Sequence, residues 1–410
     1  MTLMKDKLTK YAELAVTVGV NLQQDQPLVI NAPITAAPFV RKVAKIAYNL
    51  GAKYVHTEWN DEQLTKITLE TATEDSLGTV REWKVKGLEQ MAEEGAAFLS
   101  IVASNPDLLK EVDSKRVSIA NKTQAEAMQQ YRKYIQTAKV SWAIVSVPSQ
   151  EWAAKIYPNL TPEEQISSLW ENIFEVTRVN EADPIAAWNT HIDTLQNKLK
   201  VFNEKKYKKL YYNGPGTDLT IELPDEQVWL GGGLNNEQGT YFVPNLPTEE
   251  VFTLPVKTGV NGVVSSTKPL NLNGNLVENF SFTFKDGKIV EYQAEKGYDA
   301  LRNILETDEG ALYLGEVALV PNSSPVSKQN VIFYNTLYDE NASCHLALGS
   351  AYPICIEGGA KLSKGELEAK GVNTSMIHVD FMIGSARLNI TGETPNGEKE
   401  PILVDGEWAN

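Results

Sequence analysis

Through its first two hundred residues the chain alternates short apolar runs of strand length with longer stretches of helical spacing, and near residue 200 that alternation stops. Strand, helix, strand in this rhythm calls for a parallel sheet covered by helices, because parallel neighbours need a crossover and the crossover is usually a helix. Helical spacing runs from Leu3 to Val20 and stops near Gly19. Pro27–Pro33 (PLVINAP) reads as a buried strand bounded by prolines. Ala36–Leu50 is helical and ends at Gly51, a residue suited to the left-handed position that closes a helix. Lys53–Trp59, Ala96–Ala103 and Val140–Val147 read as further strands, and Thr79–Glu94 as a helix. Two long helices follow, Thr161–Arg178 and Pro184–Phe202; the first opens on Thr161-Pro162-Glu163-Glu164, a capping hydroxyl, a proline and two acids in the first turn.

From Lys208 onward, short β runs are separated by Gly, Asn and Pro. Lys285-Asp286-Gly287-Lys288 carries an Asp-Gly pair between two such runs, which signals a hairpin. The expectation is therefore an α/β N-terminal domain with a parallel sheet over residues 1–200, and a β-rich α+β C-terminal domain over residues 201–410. The basic run Lys198–Lys209 reads as a solvated helix end or linker, and Gly231-Gly232-Gly233 as a turn, since no helix bearing a phosphate-binding lysine follows it.

Charge narrows the partners. With 38 basic and 53 acidic side chains the net charge is −15, which argues against nucleic acid, whose phosphates need a basic footprint. No apolar run reaches the 18 residues of a membrane span, and the opening residues read as an amphipathic helix rather than a signal peptide. Two cysteines, Cys344 and Cys355, do not make a disulfide framework. A cytoplasmic location is expected.

Chemistry is concentrated in the second half. His378 lies in MIHVDFMIG, where apolar and polar residues alternate up to Phe381. On a strand, residues two apart share a face, so His378 and Asp380 project together while Ile377, Val379 and Phe381 bury the other side. Such a pair can ligate metal, or it can be a hydrogen-bonded pair on a strand surface. His345 lies among small residues in NASCHLALGSAY, and Tyr352, seven positions on, would share its face if the segment were helical. Glu316 interrupts the apolar run Leu312–Val320, where a carboxylate is costly unless it is paired or bound to metal; Gly315 before it allows close backbone approach. Glu250 closes NLPTEE, with Glu249 competing for any role and a helix start or tight turn as the plainer reading. Mixed imidazole and carboxylate ligation suits Zn²⁺, Co²⁺ or Mn²⁺. No HExxH, zinc-ribbon Cys pair or GxSxG elbow is present.

Four stretches, NLPTEEVFTLP, Leu314–Ala318 (LGEVA), NASCHLALGSAY and HVDFMIGS, resemble the thermophilic-type metalloaminopeptidases, the family of aminopeptidase T and aminopeptidase S, in order and approximate spacing. The resemblance runs over the whole chain. It implies a homodimeric exopeptidase acting on peptides with a free N-terminus and holding two divalent metals (Zn, Co or Mn) in the C-terminal domain. Matched position by position, the metal ligands are Glu250, Glu316, His345, His378 and Asp380, and Tyr352 stands beside the metals. Glu316 and Tyr352 are the candidates for handling the proton and the oxyanion. A phosphoesterase or amidase with the same ligands is the first alternative, and a non-enzymatic protein with a structural metal the second.

Overall fold

In the computed structural model, which describes residues 2–103, 105–272 and 274–409, the chain has an α/β first part and a β-rich second part, the class expected from its periodicity. It divides into two compact units: residues 1–190 with 233–247, and residues 191–232 with 248–410.

The first unit is built on four parallel strands, β1 (Leu28–Pro33), β2 (Val55–Asn60), β3 (Ala97–Val102) and β4 (Trp142–Ser146), in the order β2-β1-β3-β4. Helices Ala37–Asn49 and Glu82–Glu93 form where the apolar spacing requires them, the first closing before Gly51 at φ 92°. The opening helix Thr2–Leu14 continues as a wider turn to Gly19. Pro162–Val176 begins with a reciprocal cap, the Thr161 hydroxyl and the Glu164 carboxylate each accepting the other residue's backbone N–H. Glu62–Thr71, Ser114–Ala127, Gln129–Gln136 and Gln150–Ile156 are helices outside the stretches expected from the sequence. Gln129–Gln136 packs Tyr131, Tyr134 and Ile135 half-buried against the core, a stripe of helical spacing confined to eight residues.

The second unit contains two antiparallel sheets. The larger runs Leu270–Leu272, Asn275–Lys285, Val260–Ser265, Thr217–Glu222, Lys209–Gly214, Asn389–Glu393, Lys399–Val404, Glu407–Trp408, with Lys288–Lys296 also paired to Asn275–Lys285. Asp286 (φ 49°) and Gly287 (φ 81°) make the tight hairpin that joins the last two. The smaller sheet has the order His378–Met382, His345–Gly349, Leu314–Leu319, Val251–Thr253, Leu230–Gly231. Its inner face supplies Phe381, Leu346, Leu348, Val317 and Leu319 to a core shared with Phe280, Phe282 and Phe284 of the larger sheet. The Phe381 ring meets Phe282 at 5.2 Å and Phe280 at 5.9 Å. Burial of these rings against the other sheet fixes which way the opposite face points.

Candidate metal centre

The opposite face of the smaller sheet gathers the polar residues. Register pairs Glu316 with Ala347, and Ala347 with Asp380, so the two carboxylates flank one methyl group across three strands. His345 pairs with Ala318 and Met382, and His378 with Gly349. Glu250 directly precedes Val251, whose side chain is buried opposite Leu319. Strand alternation therefore turns Glu250 to the face of Glu316. Glycine lets the backbones close in. A Cβ on Gly231 would collide with the Glu250 carbonyl oxygen, and one on Gly315 would collide with the backbone of Gly349 and Ser350.

The five side chains form two groups that share a member. Ligand atoms of Glu250, Glu316 and His345 lie within 4.8 Å of one another, and so do those of Glu316, His378 and Asp380. Nε2 of His345 is 3.0 Å from Glu250 Oε2 and 3.7 Å from Glu316 Oε1. Nε2 of His378 is 3.5 Å from Glu316 Oε2 and 3.4 Å from Asp380 Oδ1. Glu316 thus turns one oxygen to each histidine. The other ring nitrogens are already used: Nδ1 of His345 is 3.1 Å from the Ser343 carbonyl, and Nδ1 of His378 is 2.7 Å from the Ser350 carbonyl. A carbonyl only accepts, so each Nδ1 carries a proton and each Nε2 faces the carboxylates; release of the Nε2 proton would leave the arrangement of a metal-binding imidazole.

These residues fit divalent metal. Glu250 Oε2 and Glu316 Oε2 are buried and accept no hydrogen bond, although imidazole nitrogens approach them. Burial, with the charges of Asp380 and Glu250, pushes the Glu316 carboxyl up to about 7 against the opposing pull of His345. Burial works to lower both imidazoles, but Glu250 and Glu316 hold His345 well above the usual histidine range, and Asp380 raises His378 to about 10. Without a cation the cluster retains protons to balance its charge. Divalent ions would displace those protons and complete the orphaned oxygens.

Tyr352 is brought to the same place, but not by a helix. His345 lies on a strand that ends at Gly349 (φ 97°), and the chain turns there so that the Tyr352 ring packs 4.9 Å from that of His378 and 6.1 Å from Phe252. Burial and the surrounding carboxylates hold its hydroxyl well above the usual tyrosine range. Glu249 turns elsewhere. Its carboxylate is 3.5 Å from Nε2 of His191, which also lies 2.8 Å from the Thr248 carbonyl. His56 pairs with Glu58 on β2. Cys344 and Cys355 are buried free thiols.

Two residues escape sequence reasoning. Ala347 is one small apolar residue among many in LALG, and only its register places it between Glu316 and Asp380. Glu340 sits in a hydrophilic turn five residues before His345, yet burial and the charges of Asp380, Glu250 and Glu316 push its carboxyl well above the usual range.

The family model described as thermophilic metalloprotease (M29) matches residues 4–408. The chain is 55% identical over 409 residues to aminopeptidase 2 of Geobacillus stearothermophilus, covering 100% of this chain and 99% of that one. It is 52% identical to aminopeptidase AmpS of Bacillus subtilis, over 100% of both chains, and 40% identical to aminopeptidase T of Thermus aquaticus, again over 100% of both. Its structure is similar to that of wild-type AmpT from Thermus thermophilus, with a TM-score of 0.94 at 39% identity over 99% of this chain and 100% of that one.

Proposed function

The chain belongs to the thermophilic metalloprotease (M29) family, and from that premise we propose that Glu250, Glu316, His345, His378 and Asp380 hold two divalent ions, with Glu316 shared between them. The protein is a metal-dependent aminopeptidase, a hydrolase that releases residues from the N-terminus of peptides. Neither a phosphoesterase nor a purely structural metal protein is favoured by relatives of this kind. The observation that carries the two-ion reading is the pair of overlapping carboxylate–imidazole groups joined at Glu316.

Bound divalent ions supply Lewis acidity and lower the pKa of an attacking water. The chain's own residues do the rest. His345 and His378 are locked by the Ser343 and Ser350 carbonyls so that they cannot turn away. Glu316 Oε2, buried and without a hydrogen-bond donor, can hold the proton taken from the nucleophile and return it to the leaving amine. Tyr352, whose raised pKa keeps its hydroxyl protonated at neutral pH, can donate to the developing oxyanion beside His378. The native ion is Zn²⁺, Co²⁺ or Mn²⁺, and the active species is a homodimer in the cytoplasm. No helix among the described residues is long and apolar enough to cross a membrane.

The test is metal content per chain by elemental analysis, with turnover of an aminoacyl-nitroanilide before and after chelation and after re-addition of each ion. Two ions per chain and chelator-sensitive activity are expected. One ion per chain at full activity would refute the shared role of Glu316, and activity indifferent to chelation would refute the whole proposal.

A further inference from the structure

The first unit carries a row of polar residues that the metal centre does not use. Register pairs Asn31 of β1 with Glu58 of β2 on one side and with Ser100 of β3 on the other. Residues paired across parallel strands share a face, so Glu58, Asn31 and Ser100 stand side by side on three adjacent strands. One row back on the same face, Val29 is paired with His56 and Phe98. Parallel strands covered by helices ordinarily read as unbroken apolar runs. Here all three strands break that pattern at one level.

The level is where the topology leaves room for a ligand. From β1 the chain runs through Ala37–Asn49 to β2 on one side, whereas from β3 it runs to β4 on the other. Such a reversal of strand order opens a crevice at the carboxyl ends of the two strands that flank it. A cavity of about 170 Å³ occupies this place. Its apolar side is made by Val29, Leu88, Phe98 and Tyr131, the last two rings meeting edge to face at 5.3 Å. Its polar side is made by Asn31, Ser100, Gln124 and the ion pair of Lys84 with Glu58, 3.2 Å between Nζ and Oε2. Nε2 of His56 holds the other Glu58 oxygen at 2.8 Å. The Asn31 oxygen accepts from Asn60 at 3.3 Å. Among the described residues, the Asn31 amide nitrogen, the Ser100 hydroxyl and the Gln124 amide have no protein partner.

We propose that this crevice binds a free apolar amino acid of about the size of leucine. A few convergent polar groups over an apolar floor are the ordinary make-up of a small-molecule site, and an apolar cavity of about 150 Å³ already takes a benzene ring. The wall offers one ammonium and one carboxylate side by side, which is the complement of a zwitterion. Lys84, with the unpartnered donors of Asn31 and Ser100, takes the α-carboxylate; Glu58 takes the α-ammonium; the side chain lies on Phe98, Leu88 and Tyr131. A phosphorylated ligand fits poorly, because the turn after β1 reads Pro33-Ile34-Thr35-Ala36 and lacks the glycines that let backbone N–H groups cradle phosphate. Free amino acids are also what an aminopeptidase releases, so the ligand is present wherever the enzyme works.

The experiment photolyses the metal-loaded enzyme with a diazirine analogue of L-leucine and maps the adducts by peptide mass spectrometry, with aminoacyl-nitroanilide turnover measured in parallel. Adducts should appear on the peptides that carry Leu88, Phe98 and Tyr131. Excess L-leucine should suppress them at least about 10-fold, and N-acetyl-leucinamide, which lacks both charges, should not. Lys84→Met and Glu58→Gln should each lower them about 10-fold or more, the scale of one hydrogen bond to a charged group, with kcat/KM within about twofold of wild type. The Lys84 side chain is 48% exposed, so its replacement leaves the fold intact and keeps the test decisive if Glu58→Gln does not fold. Adducts confined to the peptides of the metal ligands overturn the proposal. So do adducts indifferent to excess L-leucine, adducts suppressed equally by N-acetyl-leucinamide, or adducts undiminished in Lys84→Met. Wild type without turnover would count against the two-ion centre instead, and the adduct map would still decide this site.

Discussion

One methyl group added at Gly315 should disturb both ligand groups at once. Gly315 lies where the register between Leu314–Leu319 and His345–Gly349 shifts. A Cβ there would stand 2.6 Å from both the carbonyl carbon and the carbonyl oxygen of Ser350, and closer still to the Gly349 oxygen. All three are backbone atoms, so no flexible side chain can swing aside. The φ of Gly315 is outside the left-handed region, so alanine can adopt the backbone and the effect is purely steric. Ordinary contact begins at 3.4 Å and the nearest atom, the Gly349 oxygen, would stand at 2.4 Å, so the two strands must part by about 1 Å. The Ser350 carbonyl is the acceptor that orients His378, and Glu316 is the next residue along the displaced strand. Misplacement on the order of 1 Å costs about 10²-fold in rate, so Gly315→Ala should lower kcat/KM by about 30- to 100-fold, roughly 2–2.7 kcal/mol of transition-state stabilisation. Overpacking should also cost about 1–3 kcal/mol of stability. Aminoacyl-nitroanilide kinetics and a denaturant titration measure the two effects. A variant with kcat/KM within twofold of wild type and an unchanged midpoint would refute the reasoning.

Glu250→Gln should lose bound metal, whereas Glu249→Gln, whose buried carboxylate faces His191, should keep it and stay within about threefold of wild-type activity, with its cost falling on stability instead. Equal metal loss in both variants would show that the two acids are not distinguished by their strand face. Ala347→Leu fills the space between Glu316 and Asp380 and should abolish metal binding, at about 1–3 kcal/mol of stability on the scale of core overpacking; retained metal by elemental analysis would contradict the register. Asp308 accepts the Ser375 hydroxyl at 2.7 Å and the N–H groups of Ala311 at 2.9 Å and Met376 at 2.6 Å, tying the approach to the Glu316 strand to the approach to the His378 strand. Burial opposes its ionisation, but these donors outweigh it and hold its carboxyl below 3.8. Its contribution is therefore fully present above 3.8 and is lost as pH falls through the lower folded value. Asp308→Asn should be less stable than wild type at pH 6, with the gap narrowing below pH 4; denaturation midpoints that stay a constant distance apart would rule this out.

What could be read from the sequence follows from what each residue's position depends on. Helices with a buried stripe, such as Ala37–Asn49 and Pro162–Val176, announce themselves through spacing. Gln129–Gln136 is short and only half-buries its stripe of Tyr131, Tyr134 and Ile135, so its signal is weak. The facing of His378 and Asp380 is local, because strand parity and the buried Phe381 decide it. Whether Glu249 or Glu250 turns inward depends on where the next strand begins, and Val251 pairing with Leu319 decides that from 68 positions away. Helical spacing would put Tyr352 on the face of His345; the segment is instead a strand ending at Gly349 and a turn, which bring its ring against His378. No local pattern could single out Ala347 or Glu340, since their neighbours in space come from other strands and turns.

The shared ligand shows why register carries so much of this site. Leu314 pairs with Leu348 and joins the core, and Val317 and Leu319 join it too. Strict alternation from Leu314 would send Glu316 into that core with it. The irregularity at Gly315 inserts one extra residue against the partner strand, so that Leu314 stays inside and Glu316 emerges opposite Ala347. Only glycine can occupy that extra position, because the facing backbone leaves no room for a Cβ. The apolar run around Glu316 and the glycine before it are thus a single device, which lets a core strand present one carboxylate to both ligand groups without giving up its own burial.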